Sequence, residues 1–439
     1  MTDHLPCEAL ISYRSPLLPR PGGALLELGD DPDTWYATAL PWVQTRIKFA
    51  QQIAGLAMGG PPTPQEQALA MAIADYYNRC SVQQKTVAMF AVQWGQNFCR
   101  TLMREPRWAT SVEEPWRGRP AFIVSAGPSL DRNGQLLADA QRRGPVIALN
   151  SSANACLHYG VVPDLVMCSE AVDVASKLAP LRELGVQVAL DAVANPLNWD
   201  AAPNAWAYTW AEPNLVPYVL QLGALPLNYT GSVACAAVAL ALLWGADPVV
   251  LIGQDCAYTG GRMYAEATPY ADIRCEVQDG ILVFSGESKR CDPLLATERP
   301  AWGGGTVVTS HDLEVFIEWF KVAAEKHHIV NATEGGARIE YTYELPLATI
   351  IDNLPERARE PLPTLEPVDH EPVRRELRTQ ARAMLANKDA ITPPSEFPLL
   401  NMWAVPATFE AHGQPPLKRR DIMRAAMERG AREILEVLE

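Results

Sequence analysis

Apolar positions along this chain fall into two kinds of pattern. Between residues 120 and 255 they come as short, mostly apolar runs: Ala121-Phe-Ile-Val-Ser125, Val146-Ile-Ala-Leu-Asn150, a third within Val161–Glu170 from about Asp164, Val186–Leu190 and Pro248-Val-Val-Leu-Ile252. Most of these end at Gly, Ser, Asn or Asp. A parallel strand buried on both faces needs such continuous runs. Between them lie stretches with helical spacing, such as Leu130, Leu136, Leu137 and Ala140, then Val174, Leu178, Leu181 and Leu184, and the apolar segment Val233–Trp244. Ala205–Trp210 and Leu225–Asn228 are weaker strand candidates. Strands alternating with helices predict an α/β domain, a mainly parallel sheet with right-handed crossovers.

Outside that stretch the pattern changes. Residues 1 to about 30 are punctuated by Pro and Gly and are expected to be irregular. From Asp33 to Met103 the periodicity is helical: Trp42, Ile47, Ile53 and Leu56 share one face, and Leu69, Ala72, Ile73, Tyr76 and Tyr77 another. Val87, Phe90, Val92, Trp94 and Phe98 mark a third helix from about Val82 to Leu102. Pro106, Pro115 and Pro120 mark a linker. Further on, Cys275–Phe284 reads as a hairpin turning at Asp279-Gly280. Trp302-Gly-Gly-Gly305 is expected to be a flexible loop, Ser310 or Asp312 opens a helix, and Ile329–Gly336 is a last short strand with a Gly-rich turn. After Pro346 the chain is rich in Pro, Arg and Glu, then helical over Val373–Ala386 and Leu417–Leu438. Three regions follow: an N-terminal helical region (1–105), a Rossmann-like core (106–345) and a C-terminal helical appendage (346–439) with solvated charge, expected to offer a surface for homo-oligomers.

Composition narrows the function. The 439 residues are 48% hydrophobic and 20% charged, with a formal net charge of −14. Enough apolar material exists for a large core, and no basic stripe points to nucleic acid as partner. The nine cysteines are dispersed, with no pair at metal-ligand spacing, a pattern expected of reduced thiols in a cytoplasmic protein. The N-terminus lacks a signal-peptide pattern, and no apolar run is long enough to span a membrane.

Parallel sheets bind ligands at the carboxyl ends of their strands. Ser125–Ser129, Asn150-Ser151, Ser169-Glu170 and Gly253-Gln254-Asp255 should all gather there. Gly127 supplies a position without Cβ where backbone approaches a ligand. Ser129 and Asp131 are placed to cap the following helix, whose unpaired N–H groups attract phosphate. No Walker A sequence is present.

The ordered set Ser125-Ala-Gly-Pro-Ser-Leu-Asp131, Asn150-Ser-Ser152, Val162-Pro-Asp164, Gly231-Ser-Val-Ala234, Gly253-Gln-Asp-Cys-Ala-Tyr258 and Ile329-Val-Asn-Ala-Thr-Glu-Gly-Gly-Ala337 resembles the motility accessory factor family. These are bacterial flagellin glycosyltransferases of nonulosonic acids, and they share a core with an archaeal 6-hydroxymethylpterin diphosphokinase. The resemblance covers roughly residues 118–345. It implies a sialyltransferase-like Rossmann core that binds a CMP-activated sugar, with a protein or glycan hydroxyl (flagellin among them) as acceptor. Full-length flagellar members carry larger flanking domains than this chain. After the Pro-Asp strand the family commonly places an Asp; here Ser169-Glu170 stands, keeping a carboxylate of longer reach.

The resemblance assigns nucleotide binding to Gly127, Pro128, Ser129, Asn150, Ser151, Gln254, Asn331, Thr333 and Glu334. Asp255, Glu170 and Tyr258 are the expected catalytic residues, with Tyr258 and Tyr264 as hydroxyl donors to departing phosphate. A base for the acceptor hydroxyl must come from Asp255, Glu170, Glu334 or His311, and Asp255 is the first choice. The alternatives are an ATP-dependent diphosphotransferase, with Mg²⁺ held by Glu170 and Asp255, and a non-catalytic assembly module.

Overall fold

The computed structural model describes residues 9–12, 24–27, 54–57, 89–287, 294–357, 359, 361–386, 397–404, 407 and 416–439. The chain divides into two compact units, Met1–Thr86 and Val87–Glu439. In the first, Ala9–Ser12 (β1), Ala24–Glu27 (β2) and Ala54–Ala57 (β3) pair in parallel in the order β2-β1-β3. The first two strands fall where irregular chain is expected, and β3 takes Leu56 out of its expected helix. Segments of four residues are too short for periodicity to separate strand from helix, so pairing decides. The helix expected around Leu69–Tyr77 lies outside the described residues.

The second unit opens with a helix over residues 89–104, as the Val82–Leu102 spacing predicts. Strands follow at Arg119–Val124 (β4), Val146–Leu149 (β5), Leu165–Cys168 (β6), Gln187–Asp191 (β7), Trp206–Tyr208 (β8) and Ala246–Ile252 (β9). Arg274–Gln278 (β10), Ile281–Ser285 (β11), Leu294–Pro300 (β12) and Thr306–Ser310 (β13) form a separate antiparallel sheet. Its hairpin turns at Asp279-Gly280, both at positive φ, the geometry a tight two-residue turn demands. Ile329–Asn331 (β14) and Tyr343–Glu344 (β15) complete the main sheet, all parallel, in the order β15-β14-β9-β4-β5-β6-β7-β8. The fold class is the expected α/β one, a mainly parallel sheet with helices on its faces.

Side-chain alternation builds a core on each face of that sheet. Phe122, Val124, Val146, Ala148, Val166, Val250 and Ile252 point to one side, against Phe98 and Leu102 and the helices Glu371–Ala386 and Pro416–Leu438. Ala121, Ile123, Ile147, Leu149, Leu165, Val249 and Leu251 point to the other, against Val233–Leu243 and His311–Ala324.

Two expectations change here. The C-terminal helices are integral to the first core: Val373, Leu377, Ala381 and Met384 are buried in it, while Arg375 and Glu376 stay exposed. The segment from Glu105 to Pro120 is woven into the sheet and does not hang loose. Trp108 is fully buried and bridges to Ala207, and Trp116 packs edge-on against Trp244 at 4.5 Å. Its prolines read as a linker, but its tryptophans supply the apolar area that holds it down. Trp302 is likewise anchored, donating from its indole to the Asn331 carbonyl at 3.0 Å.

Candidate functional site

Strand β4 leads to Ser125–Ser129, and β9, its neighbour, leads to Gly253–Asp255. The chain leaves β4 toward β5 on one side and leaves β9 toward β14 on the other, so the sheet reverses its winding between these two ends. Side chains interlock across that point. Ser125 Oγ donates to Gln254 Oε1 at 2.6 Å. The Ser129 hydroxyl donates to Asp255 Oδ1 at 2.5 Å, and the Ser129 N–H reaches the same oxygen at 3.1 Å. Thr259 Oγ1 donates to Asp255 Oδ2 at 3.1 Å. Asp255 is only 2% exposed. Burial pushes its carboxyl above the ordinary value, while the Ser129, Thr259 and Arg132 groups pull it back.

This clasp changes the reading of the turn. A Cβ on Gly127 would lie 2.2 Å from Asp255 Oδ1 and 2.5 Å from the Gly253 carbonyl. The missing side chain therefore makes room for Asp255 itself. Gly253 sits at φ +66°, and a Cβ there would come 2.5 Å from the Ser125 carbonyl.

The N–H groups expected to cradle phosphate are already used: Gly127 donates to the Gly253 carbonyl at 2.8 Å, and Ser129 to Asp255. Ser129 makes no side-chain cap, and the helix after it runs only Leu130–Asn133 before tightening into a 3₁₀ turn. Pro128 is part of the same turn, its carbonyl accepting from the Asp131 N–H. Asp131 is held by Arg262 at 2.6 Å and by the Glu266 N–H at 2.9 Å.

The end of β14 joins the cluster. Thr333 Oγ1 accepts from the Gln254 N–H at 3.3 Å, and Asn331 Oδ1 from the Thr333 N–H at 3.1 Å. Glu334 Oε1 accepts from the Leu347 N–H at 2.9 Å, capping the helix Leu347–Asn353. Its carbonyl accepts from Arg132.

Tyr258 stands elsewhere. It is packed edge-on against Phe284 under the antiparallel sheet, its hydroxyl 3.1 Å from Ser310 Oγ. Tyr264 packs on Tyr270. His311 begins the helix His311–Ala324, 3.7 Å from Glu314. Asp164 belongs to the opposite edge, where it accepts from the Val146 N–H and from Arg359.

On the other side of β4 the edge continues through β5, β6 and β7. Asn150 is buried and pinned by its N–H to the Met167 carbonyl at 2.9 Å. Its Oδ1 finds no hydrogen-bond partner among the described residues. Ser151 follows, half-buried, and Ser152 Oγ donates to the Val124 carbonyl at 2.5 Å, tying β5 to β4. Glu170, half-buried, is positioned through its main chain: its carbonyl accepts from the Asn195 N–H and the Asn198 carboxamide, both at 3.0 Å.

Asp191, at the end of β7, is absent from the sequence-based candidates although it shares with Asp255 the signal of a carboxylate directly after an apolar strand. It accepts from the Tyr229 hydroxyl at 2.5 Å, from Thr209 at 3.0 Å and from the Val193 N–H at 3.2 Å. Burial pushes its carboxyl up to about 6 against the pull of these bonds.

These features define a doubly wound, Rossmann-like α/β protein with a polar carboxyl edge. Residues 99–261 match the family model described as 6-hydroxymethylpterin diphosphokinase MptE-like. The fold is similar to the MAf glycosyltransferase from Magnetospirillum magneticum AMB-1, with a TM-score of 0.58 at 15% identity over 95% of this chain and 70% of that one. No curated protein matches the sequence. The resemblance carried by the motifs thus stands on two comparisons: an MptE-like core within a fold of the MAf type. No helix among the described residues is long and apolar enough to cross a membrane.

Proposed function

We propose that the chain is a glycosyltransferase that moves a nonulosonic, sialic-acid-like sugar from a CMP-activated donor to a protein or glycan hydroxyl. The observation that carries the reading is Asn150. A buried carboxamide oxygen without a partner costs about 1–3 kcal/mol, and this one lies at the carboxyl edge beside β6, which Ser169 and Glu170 follow. An exocyclic amine or a ribose hydroxyl would satisfy it. Likeness to the MAf glycosyltransferase over nearly the whole chain supports a transferase.

Asp255 moves from the expected catalytic set to a positioning role, since both of its oxygens receive hydrogen bonds from the chain. For the same reason it fits poorly as a Mg²⁺ ligand, which weakens the diphosphotransferase alternative despite the MptE-like match. The base for the acceptor hydroxyl falls to Glu170, and departing CMP leaves an oxocarbenium-like sugar for that hydroxyl to attack.

Calorimetry with CMP, CTP and ATP, each with and without Mg²⁺, tests the proposal. Metal-independent binding of CMP and CTP, weakened roughly tenfold or more in Asn150→Ala, is the expected result. Binding of ATP alone, and only with Mg²⁺, would reverse the choice.

A further inference from the structure

We propose that the apolar groove between the helices Val233–Leu243 and His311–Ala324 binds a single-chain alkyl phosphate. The groove lies apart from the polar carboxyl edge. Leu242 and Leu243 form one wall, Trp319 and Val322 the other, and Leu227 the floor, around a space of about 430 Å³. That volume falls in the range of small-molecule pockets, about 300–1,000 Å³.

The two helices spend their other faces on the sheet, with Leu240 and Ala241 buried from one and Ile317 and Phe320 from the other. On the groove face Leu242, Leu243 and Trp319 still pack against that core and stay half-buried, while Val322 is left 44% exposed. Scattered apolar residues on a surface are ordinary; here they line one concavity.

Charge selects the occupant. Lys326 and His327 line one end of the groove, directly after the helix His311–Ala324. In a chain of net charge −14, a cation at the mouth of an apolar channel favours an anionic head. An ammonium beside an imidazole suits a phosphate, which offers several acceptor oxygens and up to two charges. The helix Val233–Leu243 ends just before β9 begins, so the Lys326 end lies at the amino edge of the sheet. Asn228 also lines the groove. Its neighbour Tyr229 bonds Asp191 at the opposite edge, so the tail points toward the carboxyl side.

Titration calorimetry of the full chain with dodecyl phosphate, laurate and dodecyltrimethylammonium, all below their micellar concentrations, tests the inference. One saturable site for dodecyl phosphate is expected, with laurate weaker and the cation at least about tenfold weaker. Lys326→Glu should lower dodecyl phosphate affinity about tenfold, and Val322→Glu should lower it at least as much, because both put a like charge against the ligand at exposed positions. Indifference to headgroup charge, equal binding of laurate, or unchanged affinity in both variants would overturn the proposal. So would a dimer in sedimentation that buries this face and resists dodecyl phosphate.

Discussion

The carboxylate of Asp255 receives both the main-chain N–H and the hydroxyl of Ser129, a residue 126 positions earlier in the chain. Two strand ends are thereby locked where an open sheet of this winding would leave a crevice. The clasp makes the turn after β4 rigid and moves the accessible polar edge toward β5 and β6.

Asp255→Asn should consequently act on stability. The amide keeps the size and one acceptor oxygen for the Ser129 hydroxyl and N–H, but turns its NH₂ toward the Thr259 hydroxyl, which loses its acceptor. A loss of about 1–3 kcal/mol is expected for the buried hydrogen bonding so disturbed. Urea denaturation measures it. An unchanged unfolding midpoint with turnover down about 10²–10⁴-fold would instead return Asp255 to the role of general base.

Gly127→Ala tests the same clasp from the other side. The added methyl would stand 2.2 Å from Asp255 Oδ1, so the carboxylate or the turn must shift. Overpacking of this kind costs about 1–3 kcal/mol. Thermal unfolding should fall accordingly, and Ser129→Ala should be less harmful because it removes one bond without a clash. Wild-type stability in Gly127→Ala would mean that the turn moves freely.

Glu170→Gln should separate chemistry from folding. The main chain of Glu170 is held by Asn195 and Asn198, so the substitution leaves its anchoring intact. Turnover is expected to drop about 10²–10⁴-fold if the carboxylate takes the acceptor proton, with little change in melting or in CMP affinity. Full activity in the variant would remove Glu170 from the reaction.

Asp191 gives the protein a signature with pH. Its folded value of about 6 lies above the ordinary 3.8, so the folded state holds the proton more tightly. The stability this contributes is complete below about pH 3.8 and is lost as pH rises through 6, up to about 3 kcal/mol. Measured against Asp191→Asn by urea denaturation, the wild type should lose relative stability between pH 4 and 7. A relative gain over that range would show the carboxylate to be better stabilised folded than unfolded.

The sheet is legible in the sequence because Ala121–Val124, Val146–Leu149 and Val249–Ile252 are wholly apolar runs that end at small or polar residues and alternate with helical stretches, a pattern that single short runs lack. The hairpin turn at Asp279-Gly280 was readable for a similar reason, since few residue pairs accept positive φ in succession. The N-terminal strands were not, because runs such as Ala54-Gly-Leu-Ala57 carry no period that distinguishes them from helix. Tyr258 looked like part of the site because it follows Asp255 closely, yet three residues of chain suffice to turn a side chain into a different core.

The order of residues by itself determined the strands from β4 to β9 in the main sheet, the helical stretches between them, and that polar residues close these strands at the same edge. Burial alone dictates those features, and burial is written in local patterns. Only the tertiary structure decided what each polar group does there. Ser129 and Asp255 become a structural pair because β4 and β9 are neighbours in the sheet, while Asn150, one strand away, keeps an oxygen without a partner. A hydrogen bond between strand ends depends on register and direction across long stretches of chain, and no local pattern encodes it.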